Sequence, residues 1–252
     1  MTIRFKLTTT AVAVIIVANS LLSLITFFYL SRVWLGEVQT RVHRNLSSAR
    51  TAYDNYIARI GALLKGRSLG HMLAAAVEHD ERAALKTILR ELQAAGRIDF
   101  VEILDPAGRV LCRASNEQTG DDLSGDPLVA RAMREQTLVT GTLRVSRERL
   151  LAEGGDLAER ARFEVVPIPA ARPSPDRVRT EGMVVAAAVP VKSADGRFVG
   201  ILCAGDLLNR RYEIVDGIKR QVFPHEMYRG KDIGTVTIFQ DDLRISTNVM
   251  TE

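Results

Sequence analysis

The chain has 252 residues, of which 46% are hydrophobic and 25% charged, and its 34 basic and 30 acidic residues give a formal net charge of +4. This length allows one sizeable hydrophobic core plus part of another. The basic residues are scattered and nearly balanced by acids, with no Lys/Arg block interleaved with aromatics, so the composition argues against nucleic acid as a partner.

The first predicted element is an apolar helix near the N-terminus. No charged side chain occurs between Lys6 and Arg32. A helix over residues 7–31, with a rise of about 1.5 Å per residue, is long enough to cross a hydrocarbon core of roughly 30 Å. A cleaved signal peptide has a shorter apolar region followed by small residues, and a buried core helix is the other alternative. We predict a membrane-spanning helix in the lipid bilayer, with a cytoplasmic tail of residues 1–6 and the bulk of the chain on the far side.

A second helical pattern follows over residues 32–66. Its apolar residues recur with gaps of three and four, close to heptad spacing, while charged side chains occupy the other face. Two interpretations stay open: the helix packs on the core of its own domain, or it is a stalk that pairs with a second copy in a homodimer. The apolar positions are Leu35, Val38, Val42, Leu46, Ala49, Tyr53, Tyr56, Ile60 and Leu63.

The sequence pattern over residues 67–208 predicts a mixed module of short helices and strands. Two helices precede a hairpin with the turn Asp105-Pro-Ala-Gly108, and a second hairpin turns at Ser193-Ala-Asp-Gly196. Between the hairpins we predict a helix over residues 127–135, a strand over 138–145, a charged segment over 147–162 and an apolar strand over 183–189. An amphipathic linker helix is predicted over residues 209–223.

A third strand–turn–strand pattern of the same kind lies between Val236 and Thr247. Two strands are marginally stable alone, so residues 224–252 are expected to be the truncated start of a second module.

The segments from Gly200 to Arg210 and from Gly234 to Val249 resemble the Cache sensor domains, a PAS-like family. The resemblance covers roughly residues 36–252. It implies an α+β fold with a five-stranded antiparallel sheet ordered 2-1-5-4-3, in which 67–208 is the membrane-distal module. It also implies a small-molecule sensing region in the periplasm, anchored in the bacterial inner membrane. The expected output is a two-component histidine kinase, with a methyl-accepting chemotaxis receptor or an anchored binding protein as alternatives.

A ligand pocket is expected on the sheet face covered by residues 116–135. Four residues near the strand ends are candidates for binding a small, anionic ligand: Arg144, Phe163, Glu164 and Asp206. A hydrolase would need a nucleophile with a base and an orienting acid, and the four histidines and missing elbow motif argue against one. No Cys-x-x-Cys, His-x-x-x-His or Glu-x-x-His spacing occurs, so neither a metal nor a cofactor is predicted.

The two cysteines are predicted to be free and buried. In a sheet ordered 2-1-5-4-3, Cys112 falls on strand two and Cys203 on strand five, with strand one between them. Neighbouring strands lie about 4.8 Å apart, and a disulfide needs Cα atoms within about 7 Å. The thiols are therefore expected to be too far apart to form a bond.

Overall fold

The structure is a computed structural model that describes residues 3–166, 177–224, 227–228, 231–232 and 234–249. Predictions for residues 1–2, 167–176, 225–226, 229–230, 233 and 250–252 lie outside this part of the chain. The helices are α1 (Ile3–Ser68), α2 (His71–Glu78), α3 (Arg82–Gly96), α4 (Pro127–Glu135), α5 (Arg147–Glu153), α6 (Leu157–Ala161) and α7 (Tyr212–Val222). The strands are β1 (Phe100–Leu104), β2 (Val110–Arg113), β3 (Val139–Val145), β4 (Phe163–Glu164), β5 (Val178–Arg179), β6 (Gly182–Lys192), β7 (Phe198–Leu207), β8 (Met227–Tyr228), β9 (Lys231–Asp232), β10 (Thr237–Gln240) and β11 (Leu243–Thr247).

The chain divides into two compact units, Met1–Arg50 and Thr51–Glu252. The first unit is helical, and its large apolar side chains from Val14 to Leu46 are exposed. Within the described residues, one helix is long and apolar enough to cross a membrane. The predicted span over 7–31 and the predicted stalk over 32–66 both fall within α1.

The second unit is built on a five-stranded antiparallel sheet. Its strand order is β2-β1-β7-β6-β3, which confirms the order predicted from the sequence. The two hairpins β1–β2 and β6–β7 lie side by side because β1 pairs with β7, and Glu102 stands opposite Cys203 in that pairing. Cys112 and Cys203 are both free and buried, as the strand order requires.

Alternation along the strands gives the sheet two different faces. On one face Phe100, Leu104 and Val184 form core clusters with residues of α4, α5 and α6. On the other face the distal part of α1 packs against β3. A Cβ atom added to Gly61 would lie 2.8 Å from Thr140 Cγ2, so glycine allows the helix to approach the strand this closely.

The structure differs from the sequence prediction in two places. The charged segment over 147–162 contains α5 and α6, which were not predicted as helices. The apolar strand predicted over 183–189 and the first arm of the second hairpin form one continuous strand, β6.

After the sheet, α7 leads to the hairpin β10–β11, close to the strands predicted there. The hairpin packs against α7 through β11, and two polar contacts connect it to earlier parts of the chain. The Arg210 amide donates to the Ile245 carbonyl at 2.7 Å, and the Arg144 guanidinium of β3 pairs with Asp241 in the hairpin turn.

Candidate functional site

The candidate site is a cleft between the sheet and its cover of α4 and α5. Its empty volume is about 410 Å³, the open mouth included. Apolar side chains such as Leu128, Leu143 and Val184 form most of its wall, and Glu102, Asp126 and Arg149 are its charged lining residues. The cleft lies on the sheet face predicted to hold the pocket, beneath residues of the predicted covering segment.

The cover is positioned by its own capping interactions. Asp126 accepts from the amides of Leu128 and Val129 at the start of α4, where Pro127 supplies the first helical residue. The Ser146 hydroxyl accepts from the Arg149 amide at 3.3 Å and starts α5. These caps fix the position of α5 and therefore place the Arg149 side chain at the edge of the cleft.

Glu102 is a fully buried carboxyl group in the middle of β1. Arg149 pairs with it from α5 and also contacts Glu153 through Nε at 2.5 Å. Behind the cleft, the buried Arg113 lies 3.4 Å from Glu102 and 3.3 Å from Glu153, and its Nη1 contacts Asp121 at 2.6 Å. We call Glu102, Arg113, Arg149 and Glu153 the buried ion cluster.

The electrostatics of this cluster depend on burial. Removal from water, together with the nearby Glu153 carboxylate, raises the pKa of Glu102 to about 8, even though Arg149 and Arg113 oppose the shift. The protonated form of Glu102 is therefore favoured near neutral pH. Within the described residues, Glu102 Oε2 has no hydrogen-bond partner, and its nearest charged group is Arg113 Nε, 3.4 Å away behind the cleft.

The four residues predicted from the sequence do not meet in this cleft. Arg144 alternates with the cleft-lining Leu143 and Val145, is half exposed and pairs with Asp241. The Arg210 guanidinium lies over the ring of Phe163, with its Cζ atom 4.6 Å from the ring centroid. The exposed Glu164 contacts Arg162 at 3.2 Å. Their role in ligand binding stays a prediction.

Asp206 lies on the opposite face of the sheet, because it is three residues beyond Cys203, which faces the cleft beside Glu102. Its carboxylate accepts from the Tyr56 hydroxyl of α1 and from the Asp99 amide at 2.8 Å. Burial raises its pKa, and the same burial raises the pKa of Tyr56. Asp206 thus holds α1 against the end of β7.

Sequence reasoning missed Glu102 and Arg149. A single charged residue inside the apolar run Phe100–Leu104 was an available signal, since a buried strand tolerates a carboxyl group only with partners. No comparable signal in the sequence pointed to Arg149, because this residue lies in a segment where most residues are charged. Among the described residues, no group of three or more His, Cys, Asp and Glu side chains could hold a metal ion.

Fold and cleft together define a PAS-like sensor region. Residues 37–228 match the family described as the double sensory domain of two-component sensor kinases, and residues 206–252 match single Cache domain 3. The chain belongs to the double Cache family and is an extracytoplasmic sensing input region.

The solved structures of one periplasmic sensor domain, that of LuxQ, show the same fold. Two structures of the Vibrio cholerae LuxQ periplasmic domain align with TM-scores of 0.52 and 0.53 at 12% and 11% identity, covering 82% and 83% of this chain and 78% of LuxQ in each case. The ligand-binding domain of the Campylobacter jejuni chemoreceptor Tlp3, solved with L-valine, aligns at 10% identity with a TM-score of 0.46, over 86% of this chain and 73% of that one. No curated protein sequence matches the chain.

Proposed function

We propose that this chain is the input region of a two-component sensor kinase and that a small polar molecule binds in the cleft under α4 and α5. The observation that carries the proposal is the Arg149 guanidinium, which pairs with the buried Glu102 carboxyl group in the lining of a mostly apolar cleft. A ligand that hydrogen-bonds both groups would recover the cost of burying them, and its apolar part would contact Leu128 and Leu143.

The ligand would act on the cover of the cleft. Arg149 and Glu153 stand one turn apart on α5 and connect that helix to β1 and β2 through the buried ion cluster. A ligand that competes for Arg149 or Glu102 changes those connections, and it shifts the population of two states by its differential affinity for them.

The test is a thermal-shift screen of the full chain in nonionic detergent against carboxylates, amines and purines, because a ligand that binds the folded state raises its melting temperature. A hit should lose its shift in Arg149→Gln and keep it in Arg131→Gln, which changes an exposed arginine of α4. Keeping the full shift in Arg149→Gln would refute the cleft as the ligand site.

The sequence-based prediction is tested in the same screen. Arg144→Ala is expected to abolish the shift of an anionic hit without lowering the melting temperature of the free protein. Because Arg144 faces away from the cleft and Arg149 faces into it, the two variants separate the two hypotheses. A normal shift in Arg144→Ala would remove Arg144 from the site.

The proposed domain organisation places residues 67–208 in a membrane-distal module, 209–223 in a linker helix and 224–252 in the start of a membrane-proximal module. The match of residues 206–252 to a single Cache domain and the hairpin β10–β11 support this division. Limited proteolysis should cut between the modules before it cuts within the first; early cuts in β6 or β7 would contradict it.

We further propose that residues 7–31 cross the bacterial inner membrane and that the chain pairs with a second copy. Exposed apolar side chains along Val14–Leu30 support the first part. The stripe Leu35, Val38, Val42 and Leu46 is also exposed at heptad-like spacing, which supports a paired stalk. Val42→Cys should form a crosslink between two copies, whereas Arg44→Cys, on the other side of the helix, should not. Thiol reagents confined to the periplasm should label both variants in intact cells. Labelling only after lysis would exclude this topology.

A further inference from the structure

A second cleft lies on the other side of the sheet, between the distal part of α1, the turn after α3 and one side of α7. Its empty volume is about 790 Å³, the open mouth included. Three arginines from three different elements line it, Arg59, Arg97 and Arg211, and Glu213 is the one acidic residue of the lining. We call it the arginine cleft.

Arg211 is the fixed member of this cleft. Its Nη1 contacts Asp99 at 3.1 Å, its Nη2 donates to the Arg97 carbonyl at 3.0 Å, and Asp206 lies 3.6 Å away. Its Nε is buried without a hydrogen-bond partner among the described residues, and Glu213, itself almost fully exposed, stands 3.7 Å from it. Arg211 is therefore held in place with one donor group left over.

The other two arginines bring charge that is not neutralised locally. Arg59 lies over the Tyr56 ring, 5.1 Å from its centroid, and Arg97 adopts a left-handed backbone conformation (φ 50°) after α3. In the part of the chain that the structure describes, neither guanidinium forms an ion pair with an acidic side chain. Both are exposed at the mouth of the cleft.

One side of α7 lines the cleft, from Glu213 in its first turn to Gln221 near its end. The helix begins at Tyr212, directly after Arg211, and no side chain caps its first turn. Residues of that turn, Glu213 and Ile214, line the cleft. The partial positive charge of this helix N-terminus is offset by the Glu213 carboxylate of the same turn, so the arginines are the groups that attract an anion.

We propose that the arginine cleft binds a small multivalent oxyanion, such as a phosphate or a di- or tricarboxylate. Guanidinium groups bind such oxygens in bidentate pairs, and three of them converge here with a leftover Nε donor and the Gln221 amide nearby. The occupant would connect α1 through Arg59 to α7 through Arg211, so it would stabilise the arrangement of these two helices. The Tyr56 hydroxyl is not expected to donate to the anion, because it already donates to Asp206.

This site is separate from the proposed ligand cleft. Glu102 and Cys203 face one side of the sheet, whereas Asp206, which contacts Tyr56 and Arg211, faces the other. Anion binding in the arginine cleft and ligand binding beneath α4 can therefore be removed independently by different substitutions.

The test uses the full chain in nonionic detergent, titrated with inorganic phosphate and with citrate by isothermal titration calorimetry at an ionic strength kept constant with chloride. At least one of the two anions should bind saturably. Arg59→Gln and Arg97→Gln should each weaken that binding about tenfold, the equivalent of one charge-assisted hydrogen bond, and Arg97→Lys should weaken it less.

Two control variants make the result specific. Arg131→Gln removes an exposed arginine elsewhere, and Arg149→Gln removes the arginine of the other cleft; both should bind the anion as the wild type does. Saturable binding by neither anion, wild-type affinity in both Arg59→Gln and Arg97→Gln, or loss of binding in Arg149→Gln would each overturn the proposal. Both test positions are exposed, and the circular dichroism spectrum of each variant should match that of the wild type.

Discussion

Glu102 shows how one residue can make stability depend on pH in an unusual direction. Most carboxyl groups with arginine partners have a lowered pKa and stabilise a fold at higher pH. Here burial and Glu153 outweigh the attraction of Arg149 and Arg113, and the pKa of Glu102 rises to about 8. The folded state then binds a proton that the unfolded state releases near pH 4.5.

We expect this group to cost stability as the pH rises. Its contribution is fully present below the unfolded pKa and is lost between about pH 5 and pH 8, with a slope of at most about 1.4 kcal/mol per pH unit. Glu102→Gln imitates the protonated form, so the variant should show a flatter pH dependence of the free energy of unfolding over this range. Urea unfolding at several pH values measures it.

Glu164→Gln is the matched control, because Glu164 is an exposed carboxylate with one surface partner. That variant should keep the wild-type pH dependence. If Glu102→Gln kept it too, the proton would not reside on this group.

At the scale of elements, the packing of α1 on the sheet depends on a glycine. Gly61 allows the helix to approach Thr140 of β3, and Tyr53 bonds the neighbouring Thr142 at 2.7 Å. Gly61→Leu should destabilise the second unit by about 1–3 kcal/mol, because the added side chain must displace Thr140 and Leu138. Chemical denaturation with helicity as the readout measures the loss.

Gly66 offers a control on the same helix. A Cβ atom added there meets nothing within 4 Å, so Gly66→Leu should gain up to about 1 kcal/mol from helix propensity. Equal effects at the two positions would mean that α1 does not pack against β3 at Gly61.

Hairpins and the capped helix α4 could be predicted from the sequence because their signals are local. The turn Asp105–Gly108 sets one hairpin, and Asp126-Pro127 marks the start of α4, which the structure places where it was predicted. The charged residues of α5 could not be assigned in this way. Glu153 is buried because it pairs with Arg113, which is distant in the sequence, and with Arg149, one helical turn away. Without these partners its sequence context is that of a solvated side chain.

The site was harder to predict than the fold for the same reason. Strand order follows from hairpin succession and family resemblance, and it correctly separated Cys112 from Cys203. The direction of one side chain depends on strand register, where a shift of one residue exchanges the two faces. Arg144 and Asp206 were assigned to the right strands, but their register points both away from the cleft.

At the scale of the whole second unit, the hairpin β10–β11 packs against α7 through β11, where Ile245 is buried. Two strands are marginally stable alone, so its order depends on this packing, on the Arg210–Ile245 backbone bond and on the Arg144–Asp241 ion pair. Both members of that pair are half exposed, and such pairs contribute less than about 1 kcal/mol. The pair is therefore expected to matter locally rather than for the stability of the sheet.

Arg144→Ala and Asp241→Ala should each leave the global free energy of unfolding within about 1 kcal/mol of the wild type while the amides of β10 and β11 exchange faster. Hydrogen exchange read by mass spectrometry resolves the two effects, and Arg131→Ala, which breaks an exposed pair on α4, should change exchange only in that helix. Unchanged exchange in β10 and β11 would mean that the pair does not hold the hairpin. Faster exchange in Arg144→Ala, together with an undiminished ligand shift, would assign Arg144 to the connection between modules and leave Arg149 as the arginine of the ligand cleft.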